Sequence, residues 1–123
     1  MHNREITVHL IAKSEAQPIG VRNWLDDIGT SYVPPFDELT GAETVVGLAA
    51  KRCYQSFEPG LNPNVTKVRK DWTEYLDNVL ASGHGSVLEH ATFTFAIEGV
   101  TRVFTAEMNR HRAGVAISEG SLR

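Results

Sequence analysis

Hydrophobic and polar positions alternate over residues 5–12, EITVHLIA, placing Ile6, Val8 and Leu10 on one face, and the β-branched content of the run predicts a strand. Between residues 17 and 40 the pattern is lost among Pro18, Gly20, Gly29, Pro34 and Pro35, which predicts irregular connection around a short helical segment near Val21 to Asp27. From Thr40 to Tyr54 the period lengthens to that of a helix, with Val45, Leu48, Ala49 and Cys53 as its apolar stripe, until Pro59, Gly60 and Pro63 interrupt it. The clearest helical pattern follows: Val65, Val68, Trp72, Leu76 and Val79 recur at three- and four-residue spacing, with Asn64 as N-cap and Gly83 as stop. Strict alternation returns in ATFTFAIE, residues 91–98, where Phe93, Phe95 and Ile97 share a face and predict a second strand. Gly99 turns the chain and Thr101 caps a last helix from Arg102 to about Asn109, with Val103, Phe104 and Met108 toward the core.

The order strand, helix, helix, strand, helix contains no regular βαβ unit, so the expected fold is α+β, with a mixed or antiparallel sheet and several helices. A chain of 123 residues has the length of one domain, residues 1–123. No apolar run approaches the roughly 20 residues of a membrane span, and the amino terminus carries no basic stretch followed by a long apolar core. With one cysteine, Cys53, no internal disulfide is possible, and the cytoplasm is the expected location.

Net charge changes this picture more than composition does. The chain carries −3, which argues against a general nucleic-acid binder, and no nucleic-acid or membrane partner is expected. Residues 101–123 nevertheless carry net +2 while the rest carry −5, so positive charge gathers where Arg110, His111 and Arg112 stand in succession. Two guanidinium forks and a titratable imidazole suit a small anionic ligand. In extended backbone the two arginines would face one way and the histidine the other. Cations also favour helix C-termini for the dipole alone, but three in a row followed by Ser118, Ser121 and Arg123 are more donors than a helix end requires.

A second cluster is GHGSVLEH, residues 83–90. His84 and His90 are six apart, unlike the four-residue spacing of a zinc-peptidase helix, and Gly83 and Gly85 disfavour a helix through His84, so no metal is expected. Backbone approach to a ligand at Gly85, with the Ser86 hydroxyl, is the functional reading, and a helix-to-strand turn is the bland one. Cys53 lies near basic Lys51 and Arg52, yet a lone cysteine on an apolar stripe ordinarily packs in the core.

RHRAGVAISEGSLR resembles the signature of the flavin-dependent thymidylate synthases (ThyX), RHR, seven residues and a serine, continuing as NExSxRY. GHGSVLEHATFTFAIEGVTRVFTAEMNRHR is similar to the family's run from its GHxSxxEH element into that signature, and AAKRCYQS at 49–56 resembles its AARxCY element. Together these cover residues 45–123 in the family's order. The resemblance implies a ThyX-like fold, incomplete in this chain, in a homotetramer with active sites between subunits. It implies reductive methylation of dUMP to dTMP, with methylenetetrahydrofolate as carbon donor and NADPH-reduced FAD supplying the hydride. A non-catalytic flavin- or nucleotide-binding relative, or one acting on another pyrimidine nucleotide, is the alternative.

Carried over by position, the resemblance implies that Arg110, His111 and Arg112 face the flavin, with Arg110 also near the nucleotide. Glu119, Ser121 and Arg123 would contact the nucleotide, Arg123 as phosphate partner, and Glu119 also the flavin. Ser86 would bind FAD, His84 would lie near flavin and folate, and Cys53 would stand beside the cofactor. Arg110, His84 and Ser121 form the expected catalytic group, Ser121 positioning the uracil rather than attacking it. The pattern departs from the family in two places: eight residues separate Arg112 from Ser121, and Glu107 stands where a nucleotide-contacting glutamine is usual. An anion there costs affinity for a phosphate-bearing substrate unless it pairs with an arginine or reads a different base edge. Family members are about twice this length, so a missing carboxy-terminal half is expected.

Overall fold

Thr40 starts the longest helix with a reciprocal cap: its hydroxyl accepts from the Glu43 amide while the Glu43 carboxylate accepts from the Thr40 amide and hydroxyl. A computed structural model of the chain describes residues 5–58, 61–65, 68–69 and 71–121. Its elements are β1 (Thr7–Lys13), α1 (Pro18–Asp27), α2 (Gly41–Cys53), α3 (Trp72–Ala81), a 3-10 helix (Gly85–His90), β2 (Phe93–Glu98) and α4 (Arg102–Met108). The mixture of helices and one two-stranded sheet, order β1–β2, is the expected α+β class. The strands are antiparallel: Ser14 donates its amide to Thr92 at one end, while Gly99 lies against Glu5 at the other.

Two compact units divide the chain, residues 13–93 and residues 1–12 with 94–123. The first holds the core. Val46 and Ala50 of α2, Tyr75 and Val79 of α3 and Val87 of the 3-10 helix form one cluster, and Leu25, Leu48, Phe57 and Trp72 form a second. Gly47 lets α2 and α3 approach, because a Cβ there would stand 1.7 Å from a ring carbon of Trp72. The buried positions of α2 include Val46, Leu48, Ala50 and Lys51, whereas Val45 and Ala49 are half-buried and Cys53 is exposed. The expected stripe is therefore rotated, because the helix packs on two sides, against α3 and against the aromatic cluster.

Helix α3 begins later than its apolar spacing predicts. Asn64 is not its N-cap; the Asn62 side chain accepts from the Asn64 amide and the Asn62 carbonyl from Val65, a local turn that competes with helix. Asp71 caps instead, accepting from the Glu74 amide at 2.7 Å, so Val65 and Val68 lie outside the helix. Gly83, at φ +73°, ends it as expected.

In the other unit, the apolar positions expected to face a core are open to solvent. Ile6, Val8 and Leu10 are 63, 58 and 52% exposed, and Phe95 and Val103 are 53 and 76% exposed. The alternation correctly marked strands, but among the described residues this unit offers two strands and one short helix, too little to enclose both faces.

Candidate functional site

Thr101 caps α4 through its hydroxyl, which accepts from the Phe104 amide, and the helix runs seven residues to Met108. The Arg-His-Arg run follows directly, but not in extended backbone. Arg110 donates its amide to Glu107 and His111 to Met108, which continues the helical winding through a turn. Arg110 therefore swings back along the helix, and its guanidinium meets the Glu107 carboxylate at 3.2 Å. His111 and Arg112 instead line one small depression with Asn109, Val115 and Ile117. The expected division, arginines together and histidine apart, is corrected: winding past Met108 separates the two arginines.

An open cleft of about 670 Å³ lies beside the same helix, lined by Arg102, Thr105, Ala106, Asn109, Glu119, Gly120 and Ser121. Glu119 is its most heavily bonded group. One carboxylate oxygen accepts from Arg102 and from the Thr105 hydroxyl, and the other from the Asn109 amide at 3.1 Å. Hydrogen bonding from Thr105, then from Arg102, holds this carboxyl below the usual carboxylate range. The second arm of Arg102 reaches the Gly120 carbonyl at 2.7 Å.

These contacts sort the charge. Arg102 and Arg110 are each paired with a glutamate, while Arg112 forms no ion pair among the described residues. The large cleft thus combines a neutralised ion pair with amide, hydroxyl and carbonyl groups, suited to a polar heterocycle or sugar. The depression of about 240 Å³ combines the Arg112 guanidinium, the His111 imidazole and the Asn109 amide with the apolar Val115 and Ile117. That donor set fits one anionic or flat portion of a dinucleotide such as FAD, and its volume takes a portion rather than the whole.

The remaining site residues lie in the other unit. Val87 anchors the 3-10 helix in the core and leaves His84 and Ser86 exposed before and at its start. The His84 ring stands edge-on to Tyr54 with centroids 5.0 Å apart. Tyr54 follows Cys53, so the GHGS and CY elements, thirty residues apart in sequence, meet in space. Burial, then the neighbouring Cys53, raises the Tyr54 pKa. Arg123, the expected phosphate partner, lies outside the described residues.

Within residues 94–121 the structure brings Glu119 and Ser121 together and joins His111 with Arg112; within residues 13–93 it joins His84 to the end of α2. Arg102, Thr105 and Asn109 were not singled out in the sequence. Their spacing, i, i+3 and i+7 along α4, is a polar stripe on one helix face and would have marked them.

The family described as Thymidylate synthase complementing protein matches residues 36–123. Over 71 residues the chain is 45% identical to a flavin-dependent thymidylate synthase of Geobacter sulfurreducens, covering 57% of this chain and 30% of that protein. It is 42% identical over 84 residues to a probable flavin-dependent thymidylate synthase of Mycobacterium phage D29, covering 68% and 33%. With the flavin-dependent thymidylate synthase of Corynebacterium efficiens it shares 33% identity over 108 residues, covering 88% and 37%. The chain spans about a third of the length of these curated relatives. The match takes in every residue that lines the cleft beside α4, and the chain belongs to the thymidylate synthase complementing protein family, whose signature its Arg-His-Arg segment resembles.

Proposed function

We propose that this chain serves in a flavin-dependent thymidylate synthase, a homotetrameric cytoplasmic enzyme that methylates dUMP with a carbon unit from methylenetetrahydrofolate. FAD, reduced by NADPH, supplies the hydride when bound. The observation that carries this reading is that the family match coincides with a segment folded into a neutral polar cleft beside a cationic depression. In this reading Glu119 and Ser121 orient the pyrimidine and its sugar, while Arg112 and His111 hold an anionic part of the flavin nucleotide. Arg110 serves flavin and nucleotide, Arg123 receives the substrate phosphate, and His84, Ser86 and Cys53 serve the cofactor and folate. Ser121 acts by hydrogen bonding, because among the described residues no base that could activate it hydrogen-bonds to it.

The experiment is purification of the full-length protein, followed by flavin absorbance and anaerobic reduction with NADPH. Reoxidation should then require both dUMP and methylenetetrahydrofolate, and the gene should restore growth of a thymidine-requiring strain. A protein that neither retains nor binds FAD defeats the proposal.

The Glu107–Arg110 pair favours a second reading, a binding relative without turnover, since it occupies one arm of a signature arginine. Flavin binding without growth complementation would select it.

A further inference from the structure

Arg102 is eight residues before the Arg-His-Arg signature, yet it is the cation most completely engaged beside the cleft. Its fork spans two groups of one segment seventeen and eighteen residues on, the Glu119 carboxylate and the Gly120 carbonyl. A planar guanidinium serves two acceptors at fixed angles, which a lysine ammonium does only loosely. Thr105, one turn further along α4, and Asn109 at its C-cap donate to the same carboxylate, so with Arg102 they take three of the about four acceptor sites of Glu119. Glu119 is thereby neither a free base nor an uncompensated negative charge facing the cleft. Its bonds tie down the backbone immediately before Ser121, which lines the same cleft.

We propose that Arg102 is a positioning residue, a clamp that fastens Glu119 and Gly120 onto α4 and so fixes where Ser121 enters the cleft. The clamp stands on these contacts alone; its effect on nucleotide binding rests on the function proposed above. If Arg102 instead met the ligand directly, its loss would remain harmful without Glu119. A clamp has lost most of its purpose once Glu119 is gone, keeping only its bond to the Gly120 carbonyl.

The test uses full-length protein carrying Arg102→Ala, Arg102→Lys, Glu119→Ala and the Arg102→Ala/Glu119→Ala pair. Hydrogen exchange read by mass spectrometry should rise about tenfold across residues 117–121 in each alanine variant, and in the pair by much less than the two rises combined, while residues 93–98 stay unchanged. The dissociation constant for dUMP should rise about tenfold in Arg102→Ala, with partial recovery in Arg102→Lys and non-additive loss in the pair. Since Arg102 helps hold the Glu119 carboxyl low, its removal should shift the acid limb of dUMP binding to higher pH. Arg102→Lys and Glu119→Gln carry the same comparison if the alanine variants fail to fold. Unchanged exchange across 117–121, or additive loss of dUMP affinity, overturns the clamp. Wild-type protein that ignores dUMP overturns the nucleotide reading, and the exchange comparison still decides the clamp.

Discussion

Two charged side chains show how differently a residue acts according to what surrounds it. Glu107 and Arg110 form an exposed pair three residues apart, with side chains 66 and 75% accessible, so the bridge contributes little to stability. Under the proposed function its effect falls on ligand binding. Glu107→Gln should leave the unfolding midpoint nearly unchanged and strengthen dUMP binding several-fold by removing a negative charge and freeing the Arg110 fork, as calorimetry would show. Lys51 is the opposite case: it is 2% exposed, with its ammonium 4.4 Å from the Tyr75 ring centroid and 5.1 Å from that of Tyr32. Burial lowers its pKa from 10.5, and burial raises those of Tyr32 and Tyr75, Tyr75 to about 12. Below the ordinary lysine pKa the unfolded chain holds this proton more tightly than the folded one, so stability rises with pH toward 10.5. Above the ordinary tyrosine pKa of 10.0 the unfolded chain loses phenol protons that the folded chain keeps, so stability then falls. Urea unfolding of wild type and Lys51→Met between about pH 8 and pH 11 should show the rising limb only in wild type. Lys51→Met should lie within about 1 kcal/mol of wild type near neutrality, because lost cation–π attraction offsets relieved desolvation, whereas Lys51→Ala should cost roughly 2–4 kcal/mol through the cavity. Sequence spacing placed Lys51 beside Cys53 as a basic neighbour; only packing on two sides of α2 turned the lysine in and left the cysteine out.

Individual elements were legible where a local signal set their ends. Thr40, three residues before Glu43, starts α2, and Thr40→Ala should destabilise the protein by about 1 kcal/mol in chemical unfolding. The Thr40 amide and hydroxyl hold the Glu43 carboxyl below its ordinary 4.5, so that contribution should fade as pH drops through the lowered folded value. Elsewhere the period misled. Val65 and Val68 continue the spacing of α3, but the Asn62 turn satisfies that backbone another way and Asp71 becomes the cap. Gly47, a mild defect within a helix by propensity alone, is the point where Trp72 crosses. Gly47→Ala, favourable by propensity, should therefore destabilise by about 1–3 kcal/mol, read from the shift in urea midpoint at constant slope. The strands β1 and β2 were recognised by alternation, and so was α4 by its cap. Their burial was not, because alternation says that two faces differ without saying what covers either.

For the whole molecule the same contrast predicts unequal protection. In the 123-residue chain, amides of α2 and α3, whose side chains form the buried clusters, should exchange slowest, and those of α4 and the segment after it much faster, as exchange read by mass spectrometry would show. Uniform protection across both units would contradict this. The order of elements, the α+β class, the helix stop at Gly83, the cap at Thr101 and the family signature were all readable along the chain, because each depends on neighbours a few residues apart. The chemistry of the cleft was readable only as residue types. What its arginines do depended on tertiary partners: Arg102 bound Glu119, Arg110 turned back to Glu107, and Arg112 was left to face the depression with His111. Sequence by itself determined where charge and periodicity lie, since both are properties of order along the chain. Tertiary structure alone decided which charges are spent on one another, since that depends on distances between segments that the chain brings together only by folding.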